Sequence, residues 1–255
     1  MPGYLTSERL RDIEARLARE GRVVAAELAR AYETSEDTIR RDLRALAAEG
    51  RCRRVYGGAL PAAPAHGPVG ARAQVAPAAK AALGAALAQL VEPGMTVFID
   101  AGSTTLACAG RLDVPGVTVV THAPAIAAVL VERPGVRLVT IGGAVDPEVG
   151  AALGAGVLAD LATIRPDLLL LGACGVDAEA GITAQVADDA AVKRLVAARS
   201  VRVAVAADRG KVGTAAPFGV IGLKACDQLC IEAATPPDIR AALAAAGPAL
   251  IYAET

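Results

Sequence analysis

The segment Ser35-Glu36-Asp37-Thr38-Ile39-Arg40-Arg41-Asp42-Leu43 constrains this chain more than any other. It opens as a helix that sets paired arginines beside apolar anchors. It follows a second apolar-periodic stretch, Val23 to Tyr32, after only a few residues. Two short helices joined by a tight turn, the second rich in arginine, are the sequence form of a helix-turn-helix DNA reader.

Three helical patterns fill the first fifty residues. Leu10, Ile13 and Leu17 give one stripe, with Ser7 placed to cap it, and Val24, Leu28 and Tyr32 give a second. Thr34 or Ser35 can cap the third helix, and Thr34-x-x-Asp37 fits a capping box. In that helix Ile39, Leu43 and Leu46 form the buried face, and Arg40, Arg41 and Arg44 lie off it. Gly50 stops the helix, and Arg51 to Leu60 reads as a hairpin or wing.

Arginine makes bidentate hydrogen bonds to guanine edges or clamps phosphates. Ser35, Thr38, Arg40, Arg41 and Arg44 are therefore candidate DNA contacts, and Arg51, Arg53 and Arg54 of the wing are candidate phosphate contacts. Asp42 would repel phosphate; it orients an arginine or ties its helix to a neighbour. The competing reading is a surface helix with solvated arginines. Charge alone does not choose, because residues 1–58 hold 12 arginines against 10 acids and the whole chain nets −1.

Residues 61–79 are rich in Pro, Ala and Gly without sustained period, the composition of a linker. The expected organisation is a DNA-binding domain at 1–60, a linker at 61–79 and an effector-sensing and oligomerisation domain at 80–255. Beyond the linker, apolar runs lead into glycine-containing turns: Val97 to Ile99, Val117 to Val120, Arg137 to Ile141, Leu168 to Leu171 and Val201 to Ala206. Alanine-rich helical stretches lie between them. That alternation predicts an α/β layer fold with a largely parallel sheet. The longest uncharged run, Val114 to Val131, contains Pro115, Gly116, His122 and Pro124 and so reads as strand, turn and helix, not a membrane span.

The five cysteines are odd in number and scattered, and with only His66 and His122 beside them no zinc-ligand spacing appears. Reduced, buried thiols in a cytoplasmic protein are expected, with no metal and no cofactor. No signal-peptide pattern opens the chain.

Val24-Ala25-Ala26-Glu27-Leu28-Ala29, then Ser35-x-x-Thr38-Ile39-Arg40-Arg41-Asp42-Leu43, then Gly50, Arg54 and Gly57-Gly58-Ala59, together resemble the DeoR family of bacterial transcriptional regulators. The Thr-Ile-Arg-Arg-Asp-Leu string is strongly diagnostic. The rest of the chain resembles the family's effector-binding part at Arg72 and Lys80, Asp100 to Thr105, Val120-Thr121, Gly142-Gly143, Gly172 to Gly175 and Asp208-x-x-Lys211. The resemblance implies a winged helix-turn-helix, followed by a domain similar in fold to ribose-5-phosphate isomerase that binds phosphorylated sugars or related metabolites.

Gly102-Ser103-Thr104-Thr105 follows an apolar strand and precedes a helix, so it offers hydroxyls and backbone N–H groups to a phosphate, or serves only as a capped helix start. Lys211 would add charge at another strand end. Asp100, Asp177 and Asp208 are placed to bind a sugar hydroxyl or to cap their own loops, and Gly142 and Gly143 complete the candidate set. Lys193 is expected on a solvated helix face. His122 stands where the family usually has asparagine and is a further candidate contact to a sugar hydroxyl, or else a hydrogen-bonded strand-end residue; Ala191 stands where the family often has an acid.

Three functions compete. The first is a homodimeric or homotetrameric repressor of carbohydrate-metabolism genes that binds double-stranded operator DNA and is controlled by a phosphorylated sugar. The second is a sugar-phosphate isomerase-like enzyme with a DNA-binding domain attached. The third is an architectural DNA binder whose second domain only oligomerises.

Overall fold

The computed structural model describes residues 6–63 and 67–254. His66 lies outside the described residues. The N-terminal part contains α1 (Thr6–Glu20), β1 (Val23–Val24), α2 (Ala25–Ala31), α3 (Glu36–Ala48), β2 (Cys52–Val55) and β3 (Gly58–Pro61). The three helices close over one core made by Ile13, Leu17, Leu28, Ile39, Leu43 and Leu46, the stripes visible in the sequence. Strands β2 and β3 form the expected wing hairpin. Val23 and Val24 do not start the second helix; they pair with Ala59 and Gly58 and tie the wing to the helices.

Of the two caps offered for α3 one forms, and the cap expected for α1 does not. Ser35, not Thr34, is the N-cap of α3, its Oγ accepting the Thr38 amide at 3.1 Å. Ser7 lies inside α1, which begins at Thr6.

Next come α4 (Val69–Ala73), α5 (Pro77–Ala88), β4 (Thr96–Ile99), α6 (Ser103–Ala109), β5 (Val117–Thr121), α7 (Pro124–Leu130) and β6 (Val136–Thr140). These are followed by β7 (Ala144–Asp146), β8 (Ala151–Leu153), α8 (Ala155–Leu161), β9 (Leu168–Leu171), β10 (Gly175–Asp177), β11 (Gly181–Ala184) and α9 (Ala187–Arg199). The chain ends with β12 (Arg202–Ala207), β13 (Phe218–Ile221), a short 3-10 turn, β14 (Gln228–Glu232), α10 (Pro237–Ala245) and β15 (Ala249–Ala253).

Seven strands form one parallel sheet in the order β15-β14-β12-β9-β4-β5-β6. Parallel strands covered on both faces must be apolar throughout, and β9, four leucines, is buried at every position. Side chains alternate between two cores. Val97, Ile99, Leu168 and Leu170 meet α5, α6 and α7 on one face; Phe98, Leu169, Leu171 and Val205 meet α8, α9 and α10 on the other. At Gly84 a Cβ would lie 2.7 Å from the Cys108 amide, so glycine there lets α5 and α6 touch backbone to backbone. Outside the parallel sheet, β10, β11 and β13 form an antiparallel sheet and β7 and β8 a ribbon.

Strand order decides where a ligand can sit. From β4 the chain proceeds outward through β5 and β6, then returns to β9 on the other side of β4 and proceeds outward again. The reversal between β4 and β9 opens a crevice at their carboxyl ends, the general binding position of open α/β sheets.

Candidate functional sites

On the N-terminal domain, α3 presents Arg41 and Arg44 to solvent, as the wing does Arg54, and among the described residues their side chains make no ion pair or hydrogen bond. The other arginines are engaged. Arg40 pairs with Glu36 at 2.8 Å and Asp37 at 3.3 Å on its own helix. Arg51 binds Glu14 of α1 and, at 2.9 Å, Glu49. Arg53 donates from Nη2 to the Pro217 carbonyl at 2.8 Å. Asp42 is buried and takes two hydrogen bonds from Arg9, at 2.5 and 3.2 Å, which tie α3 to α1. Ser35 and Thr38 face each other through their hydroxyls at 2.9 Å at the front of α3.

The crevice at the switch point holds a cavity of about 20 Å³. It is narrow. Gly102 to Thr105 come from the β4–α6 turn, Gly172 to Cys174 from the end of β9, Asp189 and Lys193 from α9, Arg72 from α4 and Lys211 from the loop after β12.

Two hydroxyls in this cavity wall, Ser103 Oγ and Thr104 Oγ1, are buried without a hydrogen-bond partner among the described residues. Such groups are costly, at about 1–3 kcal/mol each, and call for an explanation. Thr105 is different, since its hydroxyl donates to the Gly102 carbonyl at 3.0 Å.

Behind this loop lies a buried charge cluster. Asp100 is 1% exposed and both its oxygens are committed. Oδ1 faces His122 Nε2 at 3.1 Å, while Oδ2 accepts from Lys193 and from the Gly172 amide at 2.8 Å. Gly172 is required there: a Cβ would lie 2.6 Å from the Ala101 carbonyl. Lys193 also pairs with Asp189 at 3.1 Å. Burial alone would raise the Asp100 carboxyl, but Lys193 and His122 outweigh it and hold it at about 2. For Lys193, burial is outweighed by Asp100 and Asp189, and its ammonium is held above the ordinary lysine value. Asp189 is raised, by burial first.

The remaining cations are less well compensated. Burial lowers both Arg72 and Lys211, partly offset for Lys211 by Asp208. Lys211 has no ion pair among the described residues. Arg72 donates to the carbonyls of Gly67 at 2.8 Å and Val149 at 3.0 Å. Lys80, also buried, holds the same segment through the carbonyls of Arg72 and Val75, the latter at 2.6 Å. Among the described residues the cavity wall thus carries three cations against the single carboxylate of Asp189.

The sequence matches the DeoR C-terminal sensor domain over residues 75–233 and the DeoR-like helix-turn-helix domain over residues 9–63. The chain belongs to the DeoR family. Its DeoR-family relatives include the putative aga operon transcriptional repressor of Escherichia coli O157:H7, 30% identical over 95% of this chain and 92% of that protein. Another is the transcriptional repressor GlcR of Bacillus subtilis strain 168, 30% identical over 88% of each. Among solved structures, a ribose-5-phosphate isomerase in complex with phospho-erythronic acid matches 53% of each chain with 14% identity and a TM-score of 0.40.

Of the residues singled out for this DeoR-family sensor domain, Gly102, Ser103, Thr104, Thr105 and Lys211 meet around one cavity, and Asp100 lies behind its wall. Asp208 shapes the Lys211 loop, accepting the Gly210 amide at 3.1 Å on Oδ1. The others lie elsewhere. His122 has Nδ1 on the Ala152 carbonyl at 2.9 Å and Nε2 on Asp100, which leaves no ring nitrogen for a ligand. Gly142 and Gly143 line a separate cavity of about 350 Å³ on the other side of His122. Asp177 accepts the amides of Glu179 and Ala180, both at 2.9 Å, and so caps its own hairpin turn.

Lys193 is not on a solvated face. It is 3% exposed, held by Asp100 and Asp189. The i, i+4 spacing of Asp189 and Lys193, bracketed by Ala190, Val192 and Val196, was the available signal. Arg72 lies within the stretch expected to be linker, where α4 and its hydrogen bonds dock it onto the sensor domain. Among the described residues no group of three His, Cys, Asp or Glu side chains could hold a metal ion, and no helix is long and apolar enough to cross a membrane. All five cysteines are buried, and burial raises the Cys174 thiol in the cavity wall.

Proposed function

We propose that the chain is a cytoplasmic, homo-oligomeric repressor of carbohydrate-metabolism genes, released from or recruited to its operator by a phosphorylated sugar or related metabolite. The observation that carries the ligand reading is the pair of buried hydroxyls, Ser103 Oγ and Thr104 Oγ1, which have no hydrogen-bond partner among the described residues and face a cavity walled by Arg72, Lys193 and Lys211. A phosphate oxygen accepts from hydroxyls and cations alike, so a phosphate would satisfy the first and neutralise the second. The regulators named among the relatives support the DNA-binding half.

On this reading Ser103, Thr104 and Lys211 hold the phosphate, Arg72 closes over it, and Asp189 faces the sugar hydroxyls. Asp100, His122 and Lys193 form the rigid floor. The narrow cavity admits a sugar phosphate only when Arg72 and Val149 part, so binding and a change of conformation are linked. On the DNA side, Thr38, Arg41 and Arg44 enter the major groove and Arg54 meets a phosphate, two copies of α3 reading two half-sites. Ser35 sets the first turn of that helix through its cap.

The enzyme reading receives less support. Isomerisation needs a free general base beside a C–H bond, whereas Asp100 is fully committed and Asp189 is paired with Lys193. The test is calorimetry of the full chain with ribose 5-phosphate, glucose 6-phosphate, fructose 1-phosphate and glycerol 3-phosphate, and a parallel assay for turnover. Saturable binding without turnover, lost in Lys211→Ala, is expected. Turnover would favour the enzyme, and absence of binding to any phosphate would remove the sensor.

A further inference from the structure

Cavity and wing are joined by one short stretch of chain. Lys211 stands in the cavity wall, and a few residues on, the Pro217 carbonyl accepts the hydrogen bond from Arg53 in β2. Between them Ala215 forms a parallel bridge with Ala62, and its carbonyl accepts the Ala63 amide at 3.3 Å. Ala62 and Ala63 continue β3 of the wing without a break.

This stretch is not a loose loop. Val176 donates its amide to the Lys211 carbonyl at 3.0 Å, and Gly213 donates back to Val176 at 2.8 Å. Thr214 Oγ1 donates to the same Lys211 carbonyl at 2.8 Å, and the Ala216 amide donates to Thr183 Oγ1 at 2.9 Å. Gly175 lets it lie this close, since a Cβ there would be 2.6 Å from the Thr214 carbonyl. Residues 208–217 are thereby laced onto the β10–β11 hairpin. A rigid element fixed at both ends transmits displacement where a flexible one would absorb it.

We infer that residues 208–217 are the arm through which the cavity controls the wing. An anion that draws Lys211 inward shifts Ala215 and Pro217, and with them Ala63 and Arg53. The Arg53 donor on Pro217 is one that a DNA phosphate would also claim, so operator and cavity compete for the position of the arm. By linkage the effect is reciprocal: DNA alters affinity for the anion by the factor by which the anion alters affinity for DNA. The inference rests on the phosphate reading of the cavity and adds its route to the DNA-binding domain.

Hydrogen exchange on the full chain, with and without glucose 6-phosphate, fructose 1-phosphate and glycerol 3-phosphate, tests it. A phosphate that protects 101–105 should also change exchange in 53–63, through the Ala63 amide, and should do neither in Lys211→Ala. A second probe is the Ala62→Cys, Ala215→Cys pair, whose positions are bridge partners and whose disulfide would lock arm to wing. Oxidised, this variant should still bind the phosphate, but its DNA affinity should change by less than roughly two-fold on adding it, against the roughly five-fold or more expected of a coupled site, with reduction restoring the response. Protection of 101–105 with 53–63 unchanged, or a change confined to 67–76 around Arg72, overturns the arm while leaving the phosphate site standing. So does a full response in the oxidised pair. If no phosphate protects 101–105, the site and the arm fall together.

Discussion

Asp100 and Lys193, 93 residues apart in the chain, form an ion pair wholly inside the protein, directly behind the Ser103-Thr104 turn. The pair joins β4 to α9 at the point where the sheet reverses direction. With Asp189 and His122 it makes a floor that neither side of the switch point could make alone.

Removing one partner of such a cluster leaves the others buried and uncompensated. Lys193→Met should lower unfolding free energy by about 3–5 kcal/mol, as is usual when one member of a buried pair is lost. The double variant Asp100→Asn, Lys193→Met should recover part of that loss. Urea denaturation of the three proteins measures it; a single variant as stable as wild type would contradict the geometry.

The Asp100 carboxyl is held at about 2 against an ordinary value of 3.8. A depressed carboxylate contributes stability that is present above its unfolded value and is lost as pH falls through the folded one. Wild type should therefore lose more stability than Asp100→Asn between pH of about 4 and about 2. Denaturation midpoints taken at pH steps across that window, compared between the two proteins, give the difference directly.

Ser103→Ala and Thr104→Val each remove a buried hydroxyl that has no partner among the described residues. Either should leave the free protein as stable or raise its stability by about 1 kcal/mol, since burying an unsatisfied hydroxyl is unfavourable. Both should weaken phosphate binding at least ten-fold, the scale of a lost hydrogen bond to a charged group. Thr105→Ala, whose hydroxyl is satisfied by Gly102, should cost stability and affect binding less. Thermal unfolding beside calorimetry separates the two effects.

On the DNA side, Arg41→Ala and Arg54→Ala should each reduce affinity, and a lost phosphate contact should lower the salt slope by roughly one. Arg51→Ala should change DNA affinity less, because Arg51 is already tied to Glu14 and Glu49. Asp42→Ala should abolish binding by unfolding the domain around Arg9, visible as lost helicity.

Much of this was legible in the chain itself, for physical reasons. Strands β4, β9 and β12 lie in a sheet covered on both faces, so they had to be near-continuous apolar runs. The α3 stripe of Ile39, Leu43 and Leu46 had to recur at helical spacing to close the small N-terminal core. Other elements left no such trace. Strands β1, β7 and β10 are two or three residues long, too short to show a period. Lys193 read as a surface lysine because its burial depends on a carboxylate far away in sequence. By composition alone Arg72 fell in the linker stretch, because what fixes it are carbonyls of Gly67, Glu148 and Val149, and carbonyls have no sequence signature.

The central claim is that one chain couples a phosphate held at Ser103, Thr104 and Lys211 to a DNA reader at α3. The measurement that tests it most directly is binding of the full chain to a duplex selected by it from a random pool, titrated with the same panel of phosphorylated sugars. At least one should shift DNA affinity by roughly five-fold or more in wild type and have no effect in Lys211→Ala, which should still bind the duplex as wild type does. Identical DNA affinity with and without every phosphate, in both proteins, would contradict the account and leave an architectural DNA binder in its place.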